Sequence, residues 1–182
     1  MRIIAGRAKG HSLVAPKGTT TRPALDRVKE SVFAILFNIN DETVLDLFAG
    51  TGSMGLEAIS RGAKSCVFVE RDRAALESLA RNIEHCKFKE ESIVLRGEVE
   101  RALEKDLAGQ SFDLIFCDPP YLKNLVNPSL ELISRHLNLK ENCRIVVEHH
   151  PKEPIGEITG LALTDQRTYG QTLISFLSKV SS

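Results

Sequence analysis

The chain has 182 residues, of which 42% are hydrophobic and 26% charged, values typical of a soluble globular domain. No apolar run approaches the roughly 20 residues that span a bilayer, and the first residues lack the apolar stretch of a signal peptide, so we expect a cytoplasmic protein. Its four cysteines are far apart, which favours buried thiols over a disulfide framework and predicts no metal site. The 24 basic and 24 acidic residues cancel to zero net charge, which by itself argues against a polyanionic partner.

This zero net charge is unevenly distributed along the chain. Residues 1–30 hold seven basic and two acidic residues, a net charge of +5, and the remainder carries −5. Short strand-like pieces separated by Gly and Pro occupy residues 1–21 and predict a hairpin-like arm. The sequence therefore predicts a basic arm over 1–21, attached to a neutral or acidic domain over 22–182.

A helix is predicted to begin at Pro23, because proline suits the first helical turn. An apolar stripe at helical spacing follows, formed by Leu25, Val28, Val32, Ile35 and Leu36. Arg27 and Lys29 fall outside this stripe and are expected to remain available to solvent or a ligand.

From residue 43 onward, strand-like and helix-like segments alternate. Strands are predicted over 43–48, 65–70, 92–96, 112–117 and 144–148, with helices at 53–61, at 98–108 and at 126–138. A further helix is predicted after Asp72, which could act as its N-cap. Such β-α units predict a parallel sheet with helices on both faces. The last two runs, near 160–168 and 172–178, are too close together for a helical crossover and predict an antiparallel hairpin.

A glycine-rich loop joins the first of these strands to a helix. Gly50, Gly52 and Gly55 fit the dinucleotide-binding spacing, and Glu70 ends the next strand, where it could bond ribose hydroxyls. Considered alone, this arrangement favours a nicotinamide-dependent oxidoreductase.

Carboxylates at several predicted strand ends favour a different ligand. Asp46, Glu70, Glu98 and Asp118 all fall at carboxyl ends of strands, which meet at one edge of an open α/β sheet. A carboxylate beside the glycine loop would repel a pyrophosphate, whereas it would attract a cation. The ammonium and sulfonium of S-adenosylmethionine match such an edge, so we expect that cofactor.

The fourth strand leads directly into Asp118-Pro119-Pro120-Tyr121. Two prolines end the strand pairing and stiffen the loop. The Asp118 carboxylate and the Pro119 carbonyl could accept both N–H bonds of a planar amine, while the Tyr121 ring stacks on its face. The lone pair of an exocyclic base amine is delocalised into the ring, so the amine is a poor nucleophile. Acceptors that hold its hydrogens would point the lone pair at the methyl group of a sulfonium, for an in-line displacement.

The segments DLFAGTGSMGLEAISRGA and DPPY, with TRPALDRVKESVF before them and YGQTLISFL after them, resemble the RsmD family. The resemblance implies a class I S-adenosylmethionine-dependent methyltransferase fold. This fold is α/β and Rossmann-like, with a seven-stranded sheet whose last strand is antiparallel. It also implies methylation of a guanine N2 amine in small-subunit (16S) ribosomal RNA.

The resemblance also implies roles for individual residues. Beside Asp46, the cofactor would contact Phe48, Gly50 and Gly52 through its methionine part, Glu70 and Arg71 at the ribose, and Glu98 and Val99 at the adenine. The family more often has Asp at the position of Glu98. The target amine would be held by Asp118, Pro119 and Tyr121, with Thr21, Arg22 and Pro23 at the border of the site.

The basic arm is then expected to bind phosphates of the ribosomal RNA or small ribosomal subunit. The candidate residues are Arg2, Arg7, Lys9, His11, Arg22, Arg27 and Lys29. The target base would be extruded into the pocket, and selectivity would depend on the folded shape of the RNA. We expect the chain to act as a monomer.

Three alternatives remain open at the level of sequence. A DNA amino-methyltransferase acting on adenine N6 or cytosine N4 also uses DPPY-type loops, but such enzymes usually need an extra recognition region. A nicotinamide-dependent oxidoreductase needs a hydride-transfer constellation that is not evident. A non-catalytic RNA-binding module would not need the intact Asp118 and glycine loop.

Overall fold

The computed structural model describes residues 1–16 and 23–180. Within these ranges a seven-stranded sheet has the order β3-β2-β1-β4-β5-β7-β6. Its strands are β1 (Thr43–Leu47), β2 (Ser65–Glu70), β3 (Ser92–Arg96), β4 (Leu114–Cys117), β5 (Arg144–His149), β6 (Leu161–Tyr169) and β7 (Thr172–Lys179). The pairs among β1 to β5 are parallel, and β7 is antiparallel to both of its neighbours. The predicted class I fold, including the terminal antiparallel hairpin, is confirmed.

Helices pack on this sheet in the predicted order. They are α1 (Pro23–Leu36), α2 (Ser53–Ser60), α3 (Arg73–Cys86), α4 (Val99–Arg101) and α5 (Val126–His136). The helix predicted over 98–108 is a single α-helical turn followed by a π-helical segment, Ala102–Asp106. None of the helices in the described ranges is long and apolar enough to cross a membrane.

Side-chain alternation along the strands divides the interior into two cores. In β1, Leu45 and Leu47 join the core that contains α5, whereas Val44 joins the core that contains α1, α2 and α3. Asp46 lies between the two leucines, so its side chain faces the α2 side of the sheet. All four cysteines are free and buried, as the sequence predicted.

The amino-terminal segment packs on the body beside α2. An isolated antiparallel bridge joins Arg2 to Ser12, and the backbone amides of Ile4 and Ala5 donate to the Glu57 carboxylate. Because α2 has eight residues and is about 12 Å long, the tip of this hairpin lies near the opposite edge of the sheet from the strand carboxyl ends. The proposed boundary at residue 21 falls outside the described residues.

A close backbone approach fixes the turn of this hairpin. Gly6 has φ 81°, and a Cβ there would lie 1.8 Å from the backbone oxygen of Ser60. The amide of Arg7 donates to that same oxygen at 2.8 Å. Glycine is therefore required at position 6 for the hairpin to rest against the end of α2.

Lys29 is buried, which corrects the expectation that it is available to a ligand. Its side chain is 3% exposed, and Nζ lies 2.6 Å from the backbone oxygen of Arg2, 3.1 Å from Ser53 Oγ and 3.3 Å from Glu57 Oε2. Burial lowers the pKa of Lys29, and the neighbouring Glu57 opposes this effect. Lys29 thus joins the amino-terminal segment, α1 and α2.

The apolar stripe of α1 also differs in one position from the prediction. Ile35 is 42% exposed, whereas Phe33 is buried and packs against the Phe116 ring at 5.7 Å. Val32 and Leu36 are buried as expected. The side chain of Leu25 lies outside the described part of the chain.

Candidate active site

A cavity of about 960 Å³ opens at the carboxyl ends of the parallel strands. Its walls include Glu70 at the end of β2, Glu98 after β3, and Asp118 after β4. These are three of the four carboxylates that the sequence places at this edge. The volume is in the range of a small-molecule or cofactor site.

The glycine loop bends sharply as it leaves β1. Phe48, Gly50 and Gly52 all have positive φ values, of 58°, 56° and 78°. This conformation is uncommon for a bulky residue, so Phe48 leaves the strand that was predicted to include it. A Cβ at Gly52 would be strained by the positive φ, and it would lie 2.3 Å from the Leu79 Cδ1 atom, so the buried Leu79 side chain would also have to shift.

Glu70 is held at the rim of the loop by backbone donors. Its Oε2 accepts from the Gly50 amide at 2.8 Å, while Oε1 accepts from the amides of Arg71 and Asp72 at 2.7 and 2.8 Å. Asp72 caps α3 by accepting from the Ala75 amide, as predicted. The Glu70 carboxylate therefore has a fixed position at the end of β2, with lone pairs left for a ligand.

Asp46 lies buried beneath the loop. Its Oδ2 accepts from the Gly55 amide at 2.9 Å, at the start of α2. Burial raises the pKa of Asp46 to about 7, the Gly55 amide opposes this, and the charge of Glu70 adds to it. A cation bound nearby would favour the ionised form of this carboxyl.

Arg71 and Glu98 form an ion pair across the outer rim of the cavity. Arg71 Nη1 lies 3.0 Å from each carboxylate oxygen, and the two side chains are 63% and 61% exposed. Such an exposed pair contributes about 0–1 kcal/mol, so a ligand can displace it at little cost. Val99, one residue further on, is buried and lines the same cavity.

A second cavity of about 320 Å³ lies on the α1 side of the same edge. Phe48, Asp118 and Glu148 line both cavities, which makes them a shared wall. Asp46 and apolar side chains of α1 also line the smaller one. The two cavities together form an elongated site with carboxylates near its middle.

Asp118 follows β4 directly and opens into this shared space. Its side chain remains accessible through the cavities although protein atoms surround it on the other sides. Partial removal from bulk water raises the pKa of Asp118 well above its usual range, and the negative charges of Glu148 and Asp46 raise it further.

Tyr121 is held in place through its hydroxyl. The hydroxyl donates to Glu148 Oε1 at 2.7 Å and lies 2.9 Å from Thr172 Oγ1. The His150 ring meets the Tyr121 ring edge-on at 5.8 Å. Burial raises the pKa of Tyr121, so the hydroxyl keeps its proton at neutral pH.

The loop after Tyr121 is clamped by Glu153. Leu122 and Asn124 both adopt positive φ, and their backbone amides donate to the two oxygens of the Glu153 carboxylate. These donors lower the pKa of Glu153. The clamp therefore stabilises a strained backbone immediately beyond the Asp118-Pro119-Pro120-Tyr121 loop.

Comparison with known proteins identifies the family to which this chain belongs. The family model described as "Conserved hypothetical protein 95" matches residues 1–178. The chain belongs to this family, the RsmD family. It is 40% identical to the Bacillus subtilis protein YlbH, covering 98% of this chain and 99% of that protein. It is also 34% identical to the Haemophilus influenzae protein named "Ribosomal RNA small subunit methyltransferase D", covering 93% and 89%.

Solved structures of family members have the same architecture. Escherichia coli yhhF matches with a TM-score of 0.87 at 30% identity, covering 98% of this chain and 97% of that one. Haemophilus influenzae HI0767 matches with a TM-score of 0.83 at 32% identity, covering 99% and 98%. The chain thus has the fold of the S-adenosylmethionine-dependent methyltransferases, which confirms the expected cofactor class at the level of family and fold.

The residues that the sequence assigns to RNA fall into two groups on this RsmD-family structure. The first group lies at the cavity edge and consists of Arg2 and Arg27, both of which are exposed. The backbone of Arg2 lies near the start of α2, and Arg27 belongs to the first turns of α1. Arg7 and Lys9 occupy the hairpin tip near the opposite edge, where Arg7 pairs with Glu91 and lies 4.6 Å from the centre of the Phe88 ring. The basic positions are therefore spread along the molecule.

The remaining residues that the sequence analysis assigns to RNA are His11, Lys29 and Arg22, and those assigned to the border of the site are Thr21, Arg22 and Pro23. The His11 ring lies 5.0 Å from the His85 ring, and its Nδ1 lies 2.9 Å from the backbone oxygen of Ala8. Lys29 is buried and cannot reach a phosphate. Thr21 and Arg22 lie outside the described residues, and α1 begins at Pro23 as predicted.

Glu148 and Glu153 are site residues that the sequence analysis missed. Glu148 could have been found by the rule used for Asp118, since it lies near the carboxyl end of a parallel strand. No comparable local signal marks Glu153, because its partners are backbone amides of another loop.

Proposed function

We propose that this protein transfers a methyl group from S-adenosylmethionine to the exocyclic N2 amine of a guanine in small-subunit ribosomal RNA. The observation that carries the proposal is the position of Asp118 on the wall shared by two cavities, beside the glycine loop, with Tyr121 of the same loop lining the larger cavity. The name of the Haemophilus influenzae relative supports the ribosomal RNA substrate. The amine-holding geometry supports the choice of an exocyclic amine as acceptor.

The residues present fit S-adenosylmethionine, which supplies a methyl group activated by a sulfonium. Asp46 and Asp118 provide negative charge where a cationic ligand would lie. Glu70 offers fixed acceptors for ribose hydroxyls at the end of β2. Phe48 and Val99 give apolar surface for an adenine, and displacement of the Arg71 contact frees Glu98 for the base amine.

The catalytic work of the chain is positioning and electrostatic stabilisation. The Asp118 carboxylate and the Pro119 carbonyl accept the two N–H bonds of the target amine, so that its lone pair points toward the methyl carbon. The Tyr121 ring supports the base plane. After transfer, the Asp118 carboxylate is the acceptor placed to take the surplus proton from the methylated amine.

RNA would be held by the exposed basic residues at two distances from the site. Arg2 and Arg27 lie at the cavity edge and would contact phosphates next to the extruded nucleotide. Arg7 and Lys9 lie near the far edge, about 12 Å along α2, and would contact phosphates further along the strand. Their Ala variants should weaken RNA binding and flatten its salt dependence without changing cofactor affinity.

The test supplies labelled S-adenosylmethionine with isolated small subunits, naked ribosomal RNA and DNA in separate reactions. Nucleoside analysis of the product should find N2-methylguanosine from ribosomal RNA. With saturating cofactor, Asp118→Ala should lower methyl transfer by at least a hundredfold, a larger loss than calorimetry finds in its cofactor affinity. Asp106→Ala, at an exposed position, is the matched control. Label found only in DNA as N6-methyladenine or N4-methylcytosine would contradict the proposal.

A further inference from the structure

Glu148 is placed beside Asp118 by strand register. β4 and β5 are parallel with Cys117 opposite Val147, and continuing this register places Asp118, which follows β4, beside Glu148 of β5. The charge of Glu148 acts on Asp118, in agreement with this placement. Alternation along β5 puts the Glu148 side chain on the same side of the sheet as Val146, facing α1. From there it lines both cavities, as Asp118 does.

The Glu148 carboxylate also holds the aromatic ring of the same loop. Tyr121 donates its hydroxyl proton to Glu148 Oε1, and Thr172 from β7 contacts the same hydroxyl. These bonds hold the far end of the side chain in place, and the edge-on contact of the His150 ring limits rotation of the Tyr121 ring about its own axis. Glu148 is therefore connected to Asp118, which is proposed to hold the target amine, and to Tyr121, which is proposed to support the plane of the base.

We propose that Glu148 is a positioning residue for methyl transfer, which holds the Tyr121 ring and forms with Asp118 a carboxyl pair whose ionisation sets the pH range of activity. This inference rests on the proposed function for its reaction and on the described contacts for its geometry. Glu148 acts through its two neighbours and does not itself touch the amine.

The charges around the pair determine how it ionises. Two neighbouring carboxylates resist ionising together. Partial removal from bulk water and the charge of Glu148 raise the pKa of Asp118, and burial raises the pKa of Glu148. The Tyr121 hydroxyl favours the ionised form of Glu148, so Asp118 is the member that retains a proton to higher pH. A retained proton would block Asp118 as an acceptor for the amine.

The other titratable groups facing the pair come from the elements around it. They are Asp46 on β1, Lys29 on α1, and Tyr121 and His150 on the adjoining loops. Asp46 adds a further negative charge. The Lys29 ammonium donates to Arg2, Ser53 and Glu57 and is committed to that network. Removing the Glu148 charge should therefore allow Asp118 to ionise at lower pH.

Three variants separate the two effects of Glu148. Glu148→Gln retains an oxygen to accept the Tyr121 hydroxyl but removes the charge, whereas Glu148→Ala removes both. Glu131→Gln is the matched control, because Glu131 is exposed on α5 away from the loop. Single-turnover rates are measured from pH 5 to 9 with saturating S-adenosylmethionine and the RNA substrate.

We expect the acidic limb of the Glu148→Gln profile, scaled to that variant's own rate at high pH, to lie at lower pH than in wild type. Glu148→Ala, which also lacks the charge, should lose roughly tenfold in rate at high pH, where Asp118 is ionised in both proteins, and Gln at this position should restore most of it. An unmoved acidic limb in Glu148→Gln, or a wild-type rate at high pH in Glu148→Ala, would overturn the inference. A Glu148→Ala protein that does not fold leaves the Gln profile as the deciding measurement.

A second measurement needs no catalytic activity. Carbon-13 carboxyl titration by NMR follows Asp118 in the free protein, and its pKa should be lower in Glu148→Gln than in wild type. If this difference is present while no RNA is methylated, the carboxyl pair stands and the proposed reaction fails. If methylation occurs but Asp118 titrates identically in both proteins, the carboxyl pair is refuted while the proposed reaction stands.

Discussion

Glu57 provides the most demanding test of how the amino-terminal segment is attached. It is fully buried, and its carboxylate accepts from the amides of Ile4 and Ala5, from Lys29 and from Arg61. Glu57→Ala would leave a buried ammonium without its counter-charge and two backbone amides without acceptors. Removing one member of such a buried pair costs about 3–5 kcal/mol of unfolding free energy.

This cost is measured by urea unfolding, with thermal unfolding as a second measurement. For a protein of this size, about 3–5 kcal/mol lowers the melting temperature by roughly 6–20 °C. Glu77→Ala is the control, because its pair with Arg73 lies on the α3 surface with the arginine side chain 94% exposed, and such a pair contributes about 0.5 kcal/mol or less. A Glu57→Ala protein within 1 kcal/mol of wild type would refute the view that this carboxylate fixes the segment. In a double-mutant cycle, Lys29→Met combined with Glu57→Ala should cost less than the sum of the two single variants, because the lysine no longer lacks its counter-charge.

Three further predictions concern the site itself. Gly52→Ala should abolish S-adenosylmethionine binding in calorimetry, because the new Cβ would lie 2.3 Å from Leu79 Cδ1 at a position with positive φ. The control is Gly109→Ala, which has open space around the new Cβ and should bind the cofactor normally. Because burial raises the pKa of Asp46 to about 7, ionisation of this carboxyl opposes folding as the pH rises from about 4 through 7. Asp46→Asn should therefore have a free energy of unfolding roughly 2–4 kcal/mol higher than wild type at pH 8, while its cofactor affinity falls. Equal stability of the two proteins at pH 8 would contradict this. Backbone donors lower the pKa of Glu153 in the folded protein, so its clamp is complete at pH values above the ordinary glutamate pKa and is lost as the pH falls through the lowered pKa. At neutral pH, Glu153→Gln should speed hydrogen exchange of the Leu122 and Asn124 amides and lower kcat more than cofactor affinity. Unchanged exchange at these amides would contradict the clamp.

The parts of the site that the sequence predicts are those that follow from local rules. The ends of parallel strands share an edge, which brings Glu70, Glu98 and Asp118 to one cavity. The Asp72 cap is equally local, because its acceptor and donor are three residues apart. For the same reason the order of strands and helices and the antiparallel hairpin could be predicted from periodicity and loop length.

The remaining features depend on contacts between distant segments. Helical periodicity places Lys29 off the apolar stripe of α1, but it contains no information about Glu57 on α2, whose charge makes burial of the lysine possible. The left-handed backbone of Phe48 is unusual for its residue type, so no propensity predicts it. The requirement at Gly6 arises only when the hairpin meets Ser60.

The contacts of β7 give the order of chain synthesis a consequence for the site. Thr172 contacts the Tyr121 hydroxyl, and Ser175 lies 2.8 Å from Nε2 of His149, whose Nδ1 lies 2.9 Å from the Glu153 backbone oxygen. A nascent chain that has emerged only through β5 therefore has the DPPY residues but lacks the strand that supports their loop. The ability to bind the target base should therefore appear late and abruptly during translation, when the β6–β7 hairpin pairs with the free edge of β5.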